Sequence, residues 1–196
     1  MSDSDNQASA PNLNNLVGQL LISMPSLNES FFSHTITLIC NHSSEGAMGL
    51  VLNHSLGVPL DEIFDQLDIT NKKPTNSKAP IMSGGPVQQD RGFVLHSAGP
   101  TWDSTIPITN DISLTVSQDV IQAIANGQSP EKFIVTLGYA GWDKNQLEDE
   151  IADNAWLILP ADSSIVFDSD IEERWNIASQ RLGIDLNLIS STAGHA

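Results

Sequence analysis

The side chains able to do chemistry are few and scattered along this chain. Five histidines stand at positions 34, 42, 54, 96 and 195, and none forms H-E-x-x-H or another metal-ligand spacing. His42 and His54 fall at opposite ends of one expected hairpin, where a fold can make them neighbours. That is a weak metal or acid–base signal, set against the commoner surface-loop histidine. His96 sits on an alternating stretch, with Phe93 and Leu95 facing one way and Val94 and His96 the other. It reads first as a satisfied core or edge histidine. Glu148, Asp149, Glu150 and Asp153 crowd one short segment. As chemistry they would be a metal or acid–base site; as structure, a solvated helix face matched to the macrodipole. The second reading is favoured, because no His or Cys stands at ligand spacing within that helix. Arg91, one of three arginines, directly follows Asp90, and a structural ion pair is favoured over an anion site.

Nucleophiles are equally sparse. G-x-S-x-G is absent, and Ser83 precedes two glycines with no base nearby. Cys40 is the single cysteine and lies on an apolar stretch, so it reads as a small core residue and cannot form an intrachain disulfide. The turn Ser83-Gly84-Gly85-Pro86 can present backbone N–H groups to an anion. It lacks the following Lys and Ser or Thr of a phosphate loop, and a tight turn before a strand is favoured. Gly138 to Gly141 lacks the spacing of a dinucleotide fingerprint.

These residues must be positioned by strands that come in runs with helices interspersed. The stretch Leu137 to Pro160 organises the rest, with two of the four tryptophans and the single tyrosine. Lys132 to Tyr139 is β-branched and aromatic and reads as a strand. Gly138, Ala140 and Gly141 permit a sharp turn or a close backbone approach. A helix follows on Leu147 and Ile151, with an N-cap at Asn145 preferred over Asp143. Ala155 to Leu159 reads as a buried strand stopped by Pro160. Earlier, Leu16 to Ser23 is a strand, and His34 to Cys40 with Ala47 to Asn53 a β-hairpin. Leu60, Ile63, Phe64 and Leu67 recur at helical spacing. Pro80 to Ser83, Arg91 to Ser97, Ser104 to Thr109 and Ile112 to Val116 are strands. Ser117 caps a helix that Gly127 ends. Ser164 to Phe167 is a last short strand. A final helix starts from an Asp170–Glu173 capping box and stops at Gly183. Strands in runs favour α+β over a doubly wound parallel sheet.

Composition narrows the function classes. The chain has 196 residues, 40% of them hydrophobic, which suits one domain with a sizeable core. Twenty-four acidic against 8 basic residues give a net charge of −16, which opposes any broad phosphate-binding surface and argues against direct DNA binding. The nearest approach to a basic patch is Lys72, Lys73 and Lys78, in a polar loop. No run approaches the roughly 18 apolar residues of a membrane span, and the N-terminus shows no hydrophobic signal core, so cytoplasm is the expected compartment. Residues 1–14 are expected as a disordered tail, 15–189 as one domain and 190–196 as a flexible tail.

Taken in order, Asn41-His42, Gly46 to Asn53, Gly84 to Val87, Arg91 to His96, Gly138 to Trp142, Gln146 to Glu148 and Asn154 to Leu157 resemble the bacterial YqgE/AlgH family. The likeness runs from Leu16 to Leu182. It implies a single α+β domain, with a complex, partly barrel-like mixed sheet surrounded by helices. Some members of that family carry the label of transcriptional regulator from genetic association, and no catalytic residues carry over from it. Two departures stand out. Asn145 replaces the usual Gly before the Gln-Leu-Glu run, and Asn is the commonest substitute where a left-handed backbone is needed. His54-Ser55 replaces a basic residue followed by Pro.

The resulting expectation is a non-enzymatic regulatory or protein-binding module, with a protein as partner, no cofactor, no metal ligands and no catalytic residues. The alternative is a small-ligand sensor or enzyme whose site forms where distant motifs meet. Its candidate ligand contacts are Asn53, Gly84, Gly85, Arg91, His96, Trp142, Gln146 and Glu148.

Overall fold

The structure, a computed structural model, describes residues 15–27, 30–70 and 79–189. Its strands are β1 (Gln19–Ser23), β2 (Ile36–Ser43), β3 (Gly46–Val51), β4 (Ser55–Pro59), β5 (Pro80–Ser83), β6 (Val87–Ser97), β7 (Thr105–Pro107), β8 (Ile112–Thr115), β9 (Phe133–Asp143) and β10 (Trp156–Pro160). The helices are α1 (Leu60–Gln66), α2 (Gln118–Ala125), α3 (Gln146–Ala152) and α4 (Arg174–Arg181).

Strand β9 belongs to two sheet regions at once. Its first half pairs antiparallel with β6 and parallel with β5, through Val94↔Val135 and Ile81↔Val135. Its second half pairs antiparallel with β3, from Gly49↔Ala140 to Gly46↔Asp143. The main path is therefore β10-β1-β2-β3-β9-β6-β8-β7, with β5 and β4 branching from β9. The result is a curled, partly barrel-like mixed sheet with helices against it, as the resemblance implied.

The change of partner happens at Gly138, whose φ is +73°. There the Gly84-Gly85 turn crosses β9 at backbone distance. A Cβ on Gly84 would lie 2.3 Å from the Gly138 carbonyl oxygen, and one on Gly85 would lie 2.0 Å from the Tyr139 carbonyl carbon. Only glycine fits. The Gly84 N–H donates to the Leu137 carbonyl (2.8 Å), and the Gly84 carbonyl accepts from the Val51 N–H (2.9 Å). Of the two roles open to the glycines of β9, close approach is the one found, and the strand runs on through Gly141.

The pleat sorts side chains into layers. Leu20, Ile22, Leu38, Leu50, Phe93 and Leu95 join Trp175 of α4 in the largest buried cluster. Val94 and Val135, on the other face, meet Leu60 and Phe64 of α1 and Val120 and Ile124 of α2. Leu21, Ile39, Ala140, Trp142 and Trp156 pack with Leu147 of α3. Each fully buried Leu, Ile or Phe contributes about 1.5–3 kcal/mol.

Several expectations change. Ser164–Asp168 is a π-helical turn, not a strand. The Asp162 carboxylate accepts bonds from both the backbone N–H (2.8 Å) and the hydroxyl (2.7 Å) of Ser164, which bends the chain locally. Strand β4 was not anticipated. Asn145 is the N-cap of α3, but in the left-handed region at φ +62° and without a side-chain cap bond. The left-handed backbone expected of a Gly replacement is kept, while the capping box is not formed. Gln146 Oε1 instead accepts from the Asp143 N–H (2.9 Å). Neither Ser117 nor Asp170 makes a side-chain cap bond. Near Ser117, Asp119 Oδ1 accepts from the Val120 N–H (2.9 Å). Gly127 and Gly183 do end their helices, at φ +75° and +72°. Among the described residues, no helix is long and apolar enough to cross a membrane. Lys72, Lys73, Lys78, His195 and both expected tails lie outside the described residues.

Candidate functional site

The acidic helix α3 and strand β2 meet in a small polar cluster. His42 is nearly enclosed, its side chain 3% exposed, and its Nε2 lies 2.8 Å from Glu148 Oε1. Its Nδ1 accepts from the Leu16 N–H at 3.1 Å. Nδ1 therefore carries no proton, and Nε2–H is the donor to Glu148. A histidine with both ring nitrogens engaged in this way has neither left to take a substrate proton. Beside it, Glu150 Oε2 accepts from the indole N–H groups of Trp142 (2.9 Å) and Trp156 (2.8 Å), and Oε1 accepts from Gln146 Nε2 (2.8 Å). Burying two tryptophans requires partners for their N–H groups, and one carboxylate serves both. The expected solvated face is thus half right. Glu148 and Glu150 hold the fold, while Asp149 and Asp153 begin and follow the last turn of α3.

His96 is fully buried. Its Nδ1–H donates to the Ser97 carbonyl (2.9 Å), so the neutral ring accepts at Nε2 from the Thr115 hydroxyl (2.9 Å). The direction then propagates. Thr105 donates to Thr115 (2.7 Å), and the Trp102 N–H donates to Thr105 (2.7 Å). Burial lowers the His96 pKa from its ordinary value, the Ser97 bond opposing it in part. This is the satisfied core histidine that strand alternation favoured.

The remaining candidates lie elsewhere. Asn53 ties two strand ends, accepting from the Ile36 N–H (3.0 Å) and donating to the His34 carbonyl (2.7 Å). The Arg91 guanidinium donates to Gln88 Oε1 (3.3 Å) and lies 5.3 Å from the Phe93 ring centroid. Among the described residues no carboxylate pairs with it, so the expected Asp90–Arg91 ion pair does not form. Adjacent strand residues point to opposite faces, which separates the two side chains. Cys40 is buried, and burial pushes its thiol up to about 12, which keeps it protonated and inert.

The candidates therefore occupy three places. Trp142 and Gln146 share Glu150 at α3, where Glu148 bonds His42, and Arg91 lines a groove with Trp142; Asn53, Gly84 and Gly85 lie where β3 and β5 approach β9; His96 lies at the far end of β6. His96 pairs with Phe133 and Ala47 with Trp142, so the first and third places are nine positions apart along β9, roughly 30 Å at 3.3 Å per residue. His42 and His54 are not neighbours either, since His42 lies opposite Ala47 and Val51 opposite Thr37. Among the described residues no cluster of His, Cys, Asp and Glu can hold a metal.

Two features escaped the sequence reading. Arg174 is 4% exposed, donates to the Leu52 carbonyl, and has a buried Nε without a partner among the described atoms. Burial lowers its pKa to about 10, so it remains charged at neutral pH. The sequence offered no signal beyond a cation at a helix start. The other feature is a cleft of about 460 Å³ between α1 and α2, floored by Val94, Val135 and Leu137 and walled by Ile63, Leu67 and Ile121. Its two helices were legible, but their separation was not. A shallower groove of about 490 Å³ runs across β3, β9 and β6 and brings Arg91 to Met48, Tyr139 and Trp142.

Known proteins match this arrangement along nearly its whole length. A family model described as AlgH-like matches residues 20–187. A UPF0301 protein of Saccharophagus degradans is 48% identical over 176 residues, 90% of this chain and 86% of that protein. A UPF0301 protein of Shewanella sp. (strain ANA-3) is 47% identical over 187 residues, 94% of this chain and 100% of that protein. The solution structure of the AlgH protein from Pseudomonas aeruginosa superposes with a TM-score of 0.76 at 44% identity, covering 95% of this chain and 99% of that one. A crystal structure from Corynebacterium diphtheriae matches with a TM-score of 0.70 at 20% identity, covering 91% and 93%, a likeness of fold alone. Motifs, fold and relatives agree, and the chain belongs to the AlgH-like family.

Proposed function

We propose that this chain is a cytoplasmic, non-enzymatic binding protein that exerts regulation through what it binds. The observation that carries the reading is the engagement of its reactive groups. Both ring nitrogens of His42 and of His96 are taken up within the fold, Glu150 accepts three bonds, and Cys40 is buried. What stays open is surface: an apolar cleft and a shallow groove. Direct contact with DNA is not part of the proposal, because a net charge of −16 opposes phosphate binding.

The test is to incubate the purified chain with a cell metabolite extract and follow it over time by mass spectrometry. Binding without turnover leaves the metabolite profile constant in time. Steady consumption of one compound that His96→Gln or His42→Gln abolishes would overturn the reading. Cell fractionation checks the compartment.

A second reading keeps part of the sequence-derived site. Arg91 and Trp142 share the shallow groove, where a cation over an aromatic face can meet an anionic ligand. Arg91→Ala would then weaken anion binding without lowering stability.

A further inference from the structure

We propose that the cleft between α1 and α2 binds a small neutral molecule: an aromatic or branched aliphatic skeleton with one or two hydrogen-bonding groups. This rests on the binding reading above and gives it a site and a ligand class.

The argument begins with Gly92. It lies within β6 opposite Leu137, where glycine weakens a strand by about 0.5–1 kcal/mol relative to Ala. It closes the bulge of β6 between Val87 and Gly92, but no left-handed conformation demands a glycine there. Gly92 has no positive φ, and an added Cβ would meet only Leu137 Cδ2, at 4.0 Å. Gly84, Gly85 and Gly138 differ, since there a Cβ would strike backbone atoms at 2.0–2.5 Å. A strand glycine marks a bulge, a bend or a place where a ligand comes close, and Gly92 stands both at a bulge and at the cleft. Gly92 lines the cleft, and its missing side chain deepens the floor beside Val94 and Leu137.

Size and charge define the occupant. A volume of about 460 Å³ lies in the roughly 300–1,000 Å³ range of small-molecule pockets. The amides of Gln66 and Gln118 stand at the cleft and can orient one polar end of a ligand. Asp90 stands at the cleft, while the guanidinium of its neighbour Arg91 turns to Phe93 and Gln88. With a net charge of −16 on the whole chain, an anion is repelled and a neutral molecule is not.

The experiment is an amide ¹H–¹⁵N titration of the full chain with indole and 2-naphthol as neutral probes and benzoate as the anionic control. Saturable shifts at Gly92, Val94 and Ile121 are expected with the neutral probes, and at least tenfold weaker response with benzoate. Gly92→Leu should keep the wild-type melting temperature or raise it, and weaken both neutral probes at least tenfold. Gly92→Ala, adding one methyl group, should fall between. Absence of saturable shifts at the cleft, or shifts that persist in Gly92→Leu, overturns the proposal. If no neutral probe binds while a protein partner is held by wild type and lost in Leu67→Arg, the cleft is a protein surface. The small-molecule proposal then fails and the binding reading stands.

Discussion

At the crossing of β5 and β9, a Cβ on Gly85 would lie 2.0 Å from the Tyr139 carbonyl carbon; seven residues later, at Gly92, one would meet nothing closer than Leu137 Cδ2 at 4.0 Å. The two regions lie on the same sheet and draw on the same residue type. At the crossing, glycine lets three backbones share one point, and the Gly84 hydrogen bonds to Leu137 and Val51 close it. At the cleft, glycine leaves a space. The contrast extends to the polar groups. Around α3, the ring of His42 and the carboxylate of Glu150 have their partners inside the fold, whereas the cleft presents Leu67 at 38% exposure and unburied amides. One region is finished by its own residues and the other leaves a cleft open, which is why the proposed binding is assigned to the second.

The sharpest way to break this comparison is Gly85→Ala. The new methyl group meets backbone that cannot move aside, and we expect a loss above about 3 kcal/mol. For a domain of this size that is a fall in Tm of at least about 6–12 °C in a thermal melt. A change below about 1 kcal/mol would mean the crossing is not the sealed point described. Next comes Glu150→Ala, which leaves the Trp142 and Trp156 indole N–H groups without their acceptor. At about 1–3 kcal/mol per unsatisfied donor, urea unfolding should show a loss of about 2–6 kcal/mol, with altered tryptophan fluorescence.

A smaller effect is expected from pH. The folded pKa of His96 lies below its unfolded value, so the unfolded chain binds the proton more readily. The stability due to neutral His96 is complete above about pH 6.5 and is lost as pH falls below it. His54 shifts in the same direction, again by burial. Urea unfolding between pH 8 and pH 5.5 should therefore show declining stability, and His96→Gln should flatten that slope in part. Asp162, lowered by its Ser164 bonds, acts in a separate window below about pH 4. Smaller still is Glu148→Gln. Glu148 is 34% exposed and its partner ring is neutral, so the loss should be within about 1 kcal/mol. At the bottom of the scale, Gly92→Val should be neutral or stabilising by up to about 1 kcal/mol, the reverse of Gly85→Ala.

Much of the fold was legible because local rules act over short distances. The β-branched run at Ile36, the helical spacing of Leu60 and Phe64, and the stops at Gly127 and Gly183 each carry their instruction within one turn or one pleat. The π-helical turn at Ser164 misled, because its apolar Ile165-Val166-Phe167 run has strand composition while the Asp162 carboxylate decides its geometry. The site was less legible. Trp142 and Gln146 do come together, but on Glu150, which binds both indoles, while Glu148 in the same acidic run bonds His42. Which helical carboxylate faces inward depends on where the strands on either side of α3 place their tryptophans.

The sequence by itself determined the four helices, the strands other than β4, the left-handed backbone at Asn145 and membership of the family, since these follow from residue type, spacing and order, although it also set a strand at Ser164 where a π-helical turn stands. Only the tertiary structure decided which glycines were steric necessities and which was a vacancy. A glycine's own neighbours in the chain do not say what lies opposite it, and that depends on how β9 divides its two halves between two sheets.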